Sequence, residues 1–112
     1  MKLSADFPQV TLPIRGADIS SLKKSEDKGG IYYDENRAPG DALKIMREHG
    51  LNYARIRVWV DSPDGYHGQP QLLEMAKRCK ANQLKLLVDF HYADTWADPG
   101  KQPKPKSWES LD

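Results

Sequence analysis

The sequence predicts an α/β domain built on a parallel sheet, and three observations carry that prediction. Strand-like and helix-like segments alternate, in the order strand, helix, strand, helix, strand. Equivalent points such as Arg57 and His91 stand about 34 residues apart, the length of one strand-crossover-strand unit. A chain of 112 residues holds one core and has no room for a second domain. Right-handed crossovers between neighbouring strands are the expected connection.

Residues 1–14, with Pro8 and Pro13 around Val10 and Leu12, read as an irregular lead-in, because proline removes a backbone donor and fixes its own φ. The domain proper is expected over 15–112. Gly16-Ala17-Asp18-Ile19-Ser20 alternates small and polar groups and reads as a short strand carrying Gly16, Asp18 and Ser20 on one face. Lys23 to Gly30 is charged, ends in two glycines and reads as a loop. Ala38-Pro39-Gly40-Asp41 reads as the entry to a short helix whose apolar face is Ala42, Leu43, Ile45 and Met46 and which stops at Gly50.

Leu51 to Val60 is the clearest strand, with Arg55, Arg57 and Trp59 on one face and Ala54, Ile56, Val58 and Val60 on the other. Pro63-Asp64-Gly65 is turn chemistry, and Pro70 opens a second helix with Leu72, Leu73, Met75, Ala76 and Cys79 on its apolar side. Asn82 is the expected left-handed stop of that helix. Leu84 to Tyr92 is the third strand, followed by an aromatic and proline-rich loop to about Lys106, with Trp108 to Leu111 able to begin a third helix.

Strands of a parallel sheet are normally apolar on both faces, so Arg55, Arg57, Asp89 and His91 would cost several kcal/mol there unless paired. Alternation puts Leu87, Asp89 and His91 on one face. If Asp18, Arg55 and Arg57 share it, two acids and two arginines can neutralise one another. A purely structural charge network is one reading. The other is a functional site, because the polar residues gather toward the C-terminal strand ends, where α/β sheets and barrels place their sites. The stretch His91-Tyr92-Ala93-Asp94-Thr95-Trp96-Ala97-Asp98-Pro99 supports the second, since aromatic rings among carboxylates suit a sugar, which offers an apolar face for stacking and hydroxyls for hydrogen bonds.

Other classes lose their arguments. Seventeen Lys+Arg against sixteen Asp+Glu leave a net charge of +1, too little field for nucleic acid. A mean hydropathy of −0.76 and the lack of any apolar run near 20 residues argue against a membrane span. The first residues meet charge before any apolar stretch of the kind secretory signals carry. One cysteine, Cys79, excludes an internal disulfide and reads as a small buried hydrophobe. His49, His67 and His91 lie too far apart for a local metal motif, and neither metal nor cofactor is expected. The Lys101 to Lys106 run reads as a solvated loop.

Four motifs in order, Gly16-Ala17-Asp18-Ile19-Ser20, Gly30-Ile31-Tyr32-Tyr33-Asp34, Asn52-Tyr53-Ala54-Arg55-Ile56-Arg57-Val58-Trp59 and Asp89-Phe90-His91-Tyr92-Ala93-Asp94-Thr95-Trp96-Ala97-Asp98-Pro99, resemble glycoside hydrolase family 53, the endo-β-1,4-galactanases acting on arabinogalactan. The resemblance runs from about Arg15 to Trp108 and implies the N-terminal part of a (β/α)8 TIM barrel, about three parallel strands with two to three helices. It implies retaining cleavage of β-1,4-galactosidic bonds by two glutamates, one protonating the leaving oxygen and one attacking the anomeric carbon. By motif those glutamates fall beyond residue 112, and Glu26, Glu35, Glu48, Glu74 and Glu109 match neither. No catalytic residue is therefore expected in this chain, and activity is not expected from it alone.

The resemblance implies substrate contact by Asp18, Arg57, Trp59, His91, Asp94, Thr95, Trp96 and Ala97, with Arg57 matching the strand-two arginine that supports the nucleophile. It also implies an extracellular setting and galactan as partner. Two alternatives stay open: a non-catalytic binding module using Trp59, Trp96 and Tyr92 as stacking platforms, and self-association through the open sheet edge.

Overall fold

The computed structural model describes residues 11–112, so the first ten positions of the lead-in lie outside the described residues. From there the order is β1 (Gly16–Asp18), α1 (Leu22–Asp27), β2 (Tyr32–Tyr33), β3 (Pro39–Gly40), α2 (Ala42–Glu48), β4 (Tyr53–Val58), α3 (Gln69–Ala81) and β5 (Lys85–Phe90), with a short 3-10 turn at Lys106–Trp108. The main sheet has the order β1-β4-β5 and is parallel throughout, as the strand-helix alternation predicts. A two-stranded antiparallel hairpin, β2-β3, lies between α1 and α2.

Register fixes which residues share a face. Asp18 sits opposite Arg55, Arg55 opposite Leu87, and Arg57 opposite Asp89. Gly16 opposes Tyr53, and a Cβ there would come within 2.8 Å of the Tyr53 carbonyl oxygen, so only glycine lets β1 approach β4 this closely. The helices cover the other face. Ile19, Leu22, Ala42, Leu43, Ala54, Ile56, Met75, Cys79 and Leu84 form the buried core between sheet and helices. Burial also raises the Cys79 thiol pKa, in keeping with its reading as a small hydrophobe.

Several expectations are corrected. Lys23 to Gly30 is not a loop: Leu22–Asp27 is helical, anchored by the buried Leu22. The two glycines that suggested a loop are its stop signal, because Gly29 takes φ +89° and Gly30 N–H donates to the Ser25 carbonyl at 2.8 Å. The same closure ends α2, where Gly50 takes φ +96° and Leu51 N–H donates to Met46. It also ends α3, but there Gln83, at φ 58°, is the left-handed residue, not Asn82. Asn82 has right-handed geometry and its side chain caps the Arg78 carbonyl.

Leu73 is exposed rather than on the packed side of α3, and the helix expected over 108–111 is replaced by the 3-10 turn, which Pro105 opens. The strands are also shorter than expected, β4 and β5 each running six residues. Arg78 ties the helices together, binding Glu26 of α1 through two hydrogen bonds of 2.8 and 3.0 Å and Asp41, the N-cap of α2, at 3.0 Å.

Candidate functional site

The helices occupy one face of the sheet, and the other, only partly open to solvent, carries the polar residues that alternation put there. Arg55 is its hub. Its Nη2 donates to Asp89 Oδ2 at 2.6 Å and its Nη1 to Asp18 Oδ2 at 3.2 Å, joining all three strands through one guanidinium. Asp18 is fixed further by accepting from the Ser20 N–H at 2.9 Å. Partial burial pushes its carboxyl up, but the Ser20 hydrogen bonds and the two arginine charges outweigh that and leave its pKa below the usual aspartate value.

The expectation that two arginines share the neutralising role is therefore corrected. Arg55 makes both ion pairs, and Arg57 is turned elsewhere. Arg57 is buried, with Nη2 donating to Ser21 Oγ at 3.2 Å and lying 3.3 Å from His67 Nε2. Its guanidinium is 4.0 Å from the Trp96 ring centroid and 5.2 Å from that of Trp59, so two aromatic rings, set edge to face, stand beside the cation where a carboxylate would otherwise be expected. The Arg57 backbone N–H donates to Ser20 Oγ at 2.9 Å, so the β1 end holds β4 in place.

His67 was given no role by the sequence, and it lies at the centre of this packing. It is 4% exposed, takes φ 66°, receives the Trp59 N–H on its carbonyl at 2.8 Å and packs edge-on against the Trp59 ring at 4.5 Å. Burial, reinforced by the Arg57 charge, holds its pKa below the ordinary histidine value, so Nε2 is free to accept from Arg57. No linear pattern links positions 57, 59 and 67; the turn that brings His67 back over β4 does.

On the β5 side, His91 Nε2 lies 2.9 Å from Asp89 Oδ2 and Trp59 Nε1 donates to His91 Nδ1 at 3.0 Å. Trp96 stands next to both, its ring centroid 5.6 Å from Trp59 and 6.1 Å from His91, and is 60% exposed. Arg55, Asp89, His91, Tyr92, Ala97 and Gln102 line a cleft of about 590 Å³ along this edge. A smaller, mostly apolar hollow of about 350 Å³ near α1 and α2 touches Asp18 but holds no comparable cluster of charged groups.

Of the eight residues singled out by resemblance, Asp18, Arg57, Trp59, His91 and Trp96 are brought together here, and Ala97 lines the cleft. Asp94 and Thr95 lie off to one side. Both Asp94 oxygens are occupied at 3.0 Å by backbone N–H groups, Asp61 on Oδ1 and Lys106 on Oδ2, so Asp94 pins two loops together. Thr95 faces a separate hollow with Asp61, Pro63 and Lys104. Arg55 and Asp89 are the additions, and the strand alternation had already put both on this face. Among the described residues no cluster of three His, Cys, Asp or Glu side chains is arranged to hold a metal ion.

Comparison with known proteins places this arrangement. The family model for glycosyl hydrolase family 53 matches residues 14–112. The chain is 41% identical to the endo-β-1,4-galactanase of Bacillus subtilis over 88% of its own length and 25% of that protein. It is 40% identical to a probable arabinogalactan endo-β-1,4-galactanase A of Neosartorya fischeri over 98% of its length and 31% of that protein. Among solved structures, a fungal β-1,4-galactanase superposes with a TM-score of 0.86 at 39% identity, covering 89% of this chain and 30% of that one. The family 53 catalytic domain of Ignisphaera aggregans superposes with 0.80 at 42% identity, over 88% of this chain and 30% of that one. The chain thus spans between a quarter and a third of the length of the relatives it matches. Its three parallel strands form part of a (β/α)8 barrel, and the chain belongs to glycosyl hydrolase family 53.

Proposed function

We propose that this chain forms one wall of the galactan-binding cleft of an endo-β-1,4-galactanase, an enzyme acting on β-1,4-galactan or arabinogalactan in an extracellular setting. The observation that carries the reading is the open face itself. Asp18, Arg55 and Asp89 form a preset polar floor, and Trp96 is held beside it by Arg57 with much of its surface still open to solvent. A pyranose stacks its apolar face on an indole and directs its hydroxyls to carboxylate and guanidinium groups, and this face supplies both.

Within that reading the chain binds and orients sugar and supplies neither of the two carboxylates of retaining hydrolysis. None of the five glutamates is on a strand of the sheet or lines the cleft beside Asp89 and His91. Glu26 is engaged by Arg78 on the helical side, Glu48 and Glu74 are on α2 and α3, Glu35 is in the β2-β3 connection and Glu109 follows the 3-10 turn. Trp96 is proposed as the stacking surface, Asp18 as a hydrogen-bonding group of the floor, Ala97 as part of the cleft lining, and Arg57, Trp59 and His91 as the groups that set its shape. Asp94 and Thr95 are proposed to shape the adjoining loop.

Titration with β-1,4-galacto-oligosaccharides, followed by tryptophan fluorescence, tests this. The wild-type chain should show a saturable change that Trp96→Ala removes, and release of new reducing ends should stay at background. A wild-type titration without saturable change ends the binding reading; turnover by this chain ends the assignment of the catalytic carboxylates to positions outside it.

A second reading has its own observation. β5 is an edge strand of six residues with Leu87 and Phe90 about half exposed, a template for pairing with a second copy. Light scattering at rising concentration separates the cases: a constant monomer mass removes this reading.

A further inference from the structure

Resting on the cleft reading above, we propose that Asp89 is a sugar-hydroxyl acceptor in this cleft, and that Trp59 is the positioning residue that sets it by fixing the tautomer of His91. Neither role follows from a charge network alone.

An indole N–H can only donate, so the His91 nitrogen it meets at 3.0 Å, Nδ1, must carry a lone pair. The single ring proton of the neutral imidazole is then on Nε2, which faces Asp89 Oδ2 at 2.9 Å and donates to it. The other tautomer would set two N–H groups against each other at Trp59 and leave a bare nitrogen facing a carboxylate. Trp59 holds this position firmly, being 8% exposed, with His67 packed edge-on against its ring and the Arg57 guanidinium 5.2 Å from its centroid.

The consequence falls on Asp89. Its Oδ2 receives the His91 Nε2–H and the Arg55 Nη2–H at 2.6 Å, two donors that fix the plane of the carboxylate. Its Oδ1 accepts no hydrogen bond among the described residues, and the side chain is 26% exposed in the cleft that it lines with Arg55, Tyr92, Ala97 and Gln102. A carboxylate held by one oxygen with the other free is an acceptor preorganised for a hydroxyl donor, such as a pyranose hydroxyl. His91 has both nitrogens engaged, so its part is to orient Asp89, and the ligand meets the carboxylate.

The test is NMR of the 112-residue chain labelled with nitrogen-15 and carbon-13, reading the histidine ring nitrogens and the aspartate carboxyl carbons, with β-1,4-galactotriose as the probe. The expected wild-type spectrum shows His91 with bare Nδ1 and protonated Nε2, a scalar coupling across the Trp59 Nε1–H to His91 Nδ1 hydrogen bond, and redistribution between both tautomers in Trp59→Phe. A wild-type ring protonated on Nδ1, or no coupling to Trp59, overturns the positioning role even if Trp59→Phe does not fold. So does an unchanged tautomer in a folded Trp59→Phe. On adding galactotriose, the Asp89 carboxyl carbon should shift together with the Trp96 indole. A Trp96 shift without an Asp89 shift overturns the acceptor role and leaves the cleft reading standing. No shift at either overturns the cleft reading and the acceptor role with it.

Discussion

The two faces of the three-stranded sheet divide the work of the molecule between them. On the helix-covered face, Ile19, Ala54 and Ile56 are buried against Leu43, Met75 and Cys79 in an entirely apolar core. On the opposite face the same strands present Asp18, Arg55, Arg57 and Asp89, neutralised in situ by ion pairs, hydroxyls and aromatic rings. Period-two alternation is unusual for a parallel sheet, whose strands normally read as continuous apolar runs. Here it marks a sheet with one face packed against the helices and the other lined by paired charges. The lesson is that a charged residue on a parallel strand should be read together with its neighbours at i±2 and across the register.

The sharpest way to break this division is to make matched cuts on the two faces. Ile56→Ala, at a position 1% exposed, should cost about 2–5 kcal/mol in urea unfolding, through lost burial and the cavity left behind. Leu87→Ser, on the open face of the neighbouring strand, should change stability by under about 1 kcal/mol. Comparable losses at both would mean that the open face is packed in solution.

A smaller effect should come from the tie between helices. Arg78→Met removes three charge-assisted hydrogen bonds from a side chain 26% exposed, and should cost about 1–3 kcal/mol with no change at the open face. Urea unfolding in low and high salt checks it, with the wild-type advantage shrinking as salt screens the pairs.

Acid should reach the open face through His67. Its pKa is depressed in the folded chain, so below the ordinary value of 6.5 the unfolded chain binds more protons than the folded one. Stability is then full above about pH 6.5 and declines as the pH falls below it. Asp18, also depressed, adds a further loss below its ordinary value of 3.8. Thermal unfolding between pH 7.5 and 5 should show the first decline, and His67→Gln should flatten it.

The smallest effect concerns the helix stops. Gln83 holds the left-handed position that glycine holds at the ends of α1 and α2, so Gln83→Gly should stabilise by up to about 1 kcal/mol as backbone strain is relieved. Guanidinium denaturation of the two proteins side by side resolves a change of that size.

Much of this was legible in the chain. Alternating apolar and polar residues over Tyr53 to Val58 fixed the faces of β4, and turn and cap residues around Asp41 and Gly50 bounded α2. The charged α1 was missed because its apolar anchorage rests on Leu22, too little for a periodic signal, while its Gly29-Gly30 stop resembles any loop. Within the site, Trp59, His91 and Trp96 could be found because they sit at a strand end and in the loop beyond it. The division of roles between Arg55 and Arg57 could not, since it depends on which acids the register brings opposite each. His67 was out of reach for the same reason: its partners are set by the path of a turn.

The three tryptophans offer the most direct test of whether the open face is where sugar binds. Trp96 lies on that face, Trp59 packs against it and also borders the apolar groove behind, and Trp108 lies in that groove with Val58, Leu72 and Phe90. Titrating β-1,4-galacto-oligosaccharide while following the three indole N–H resonances should move Trp96 most, Trp59 less and Trp108 not at all. Movement of Trp108 with Trp96 unchanged would put the ligand on the wrong face and contradict the account.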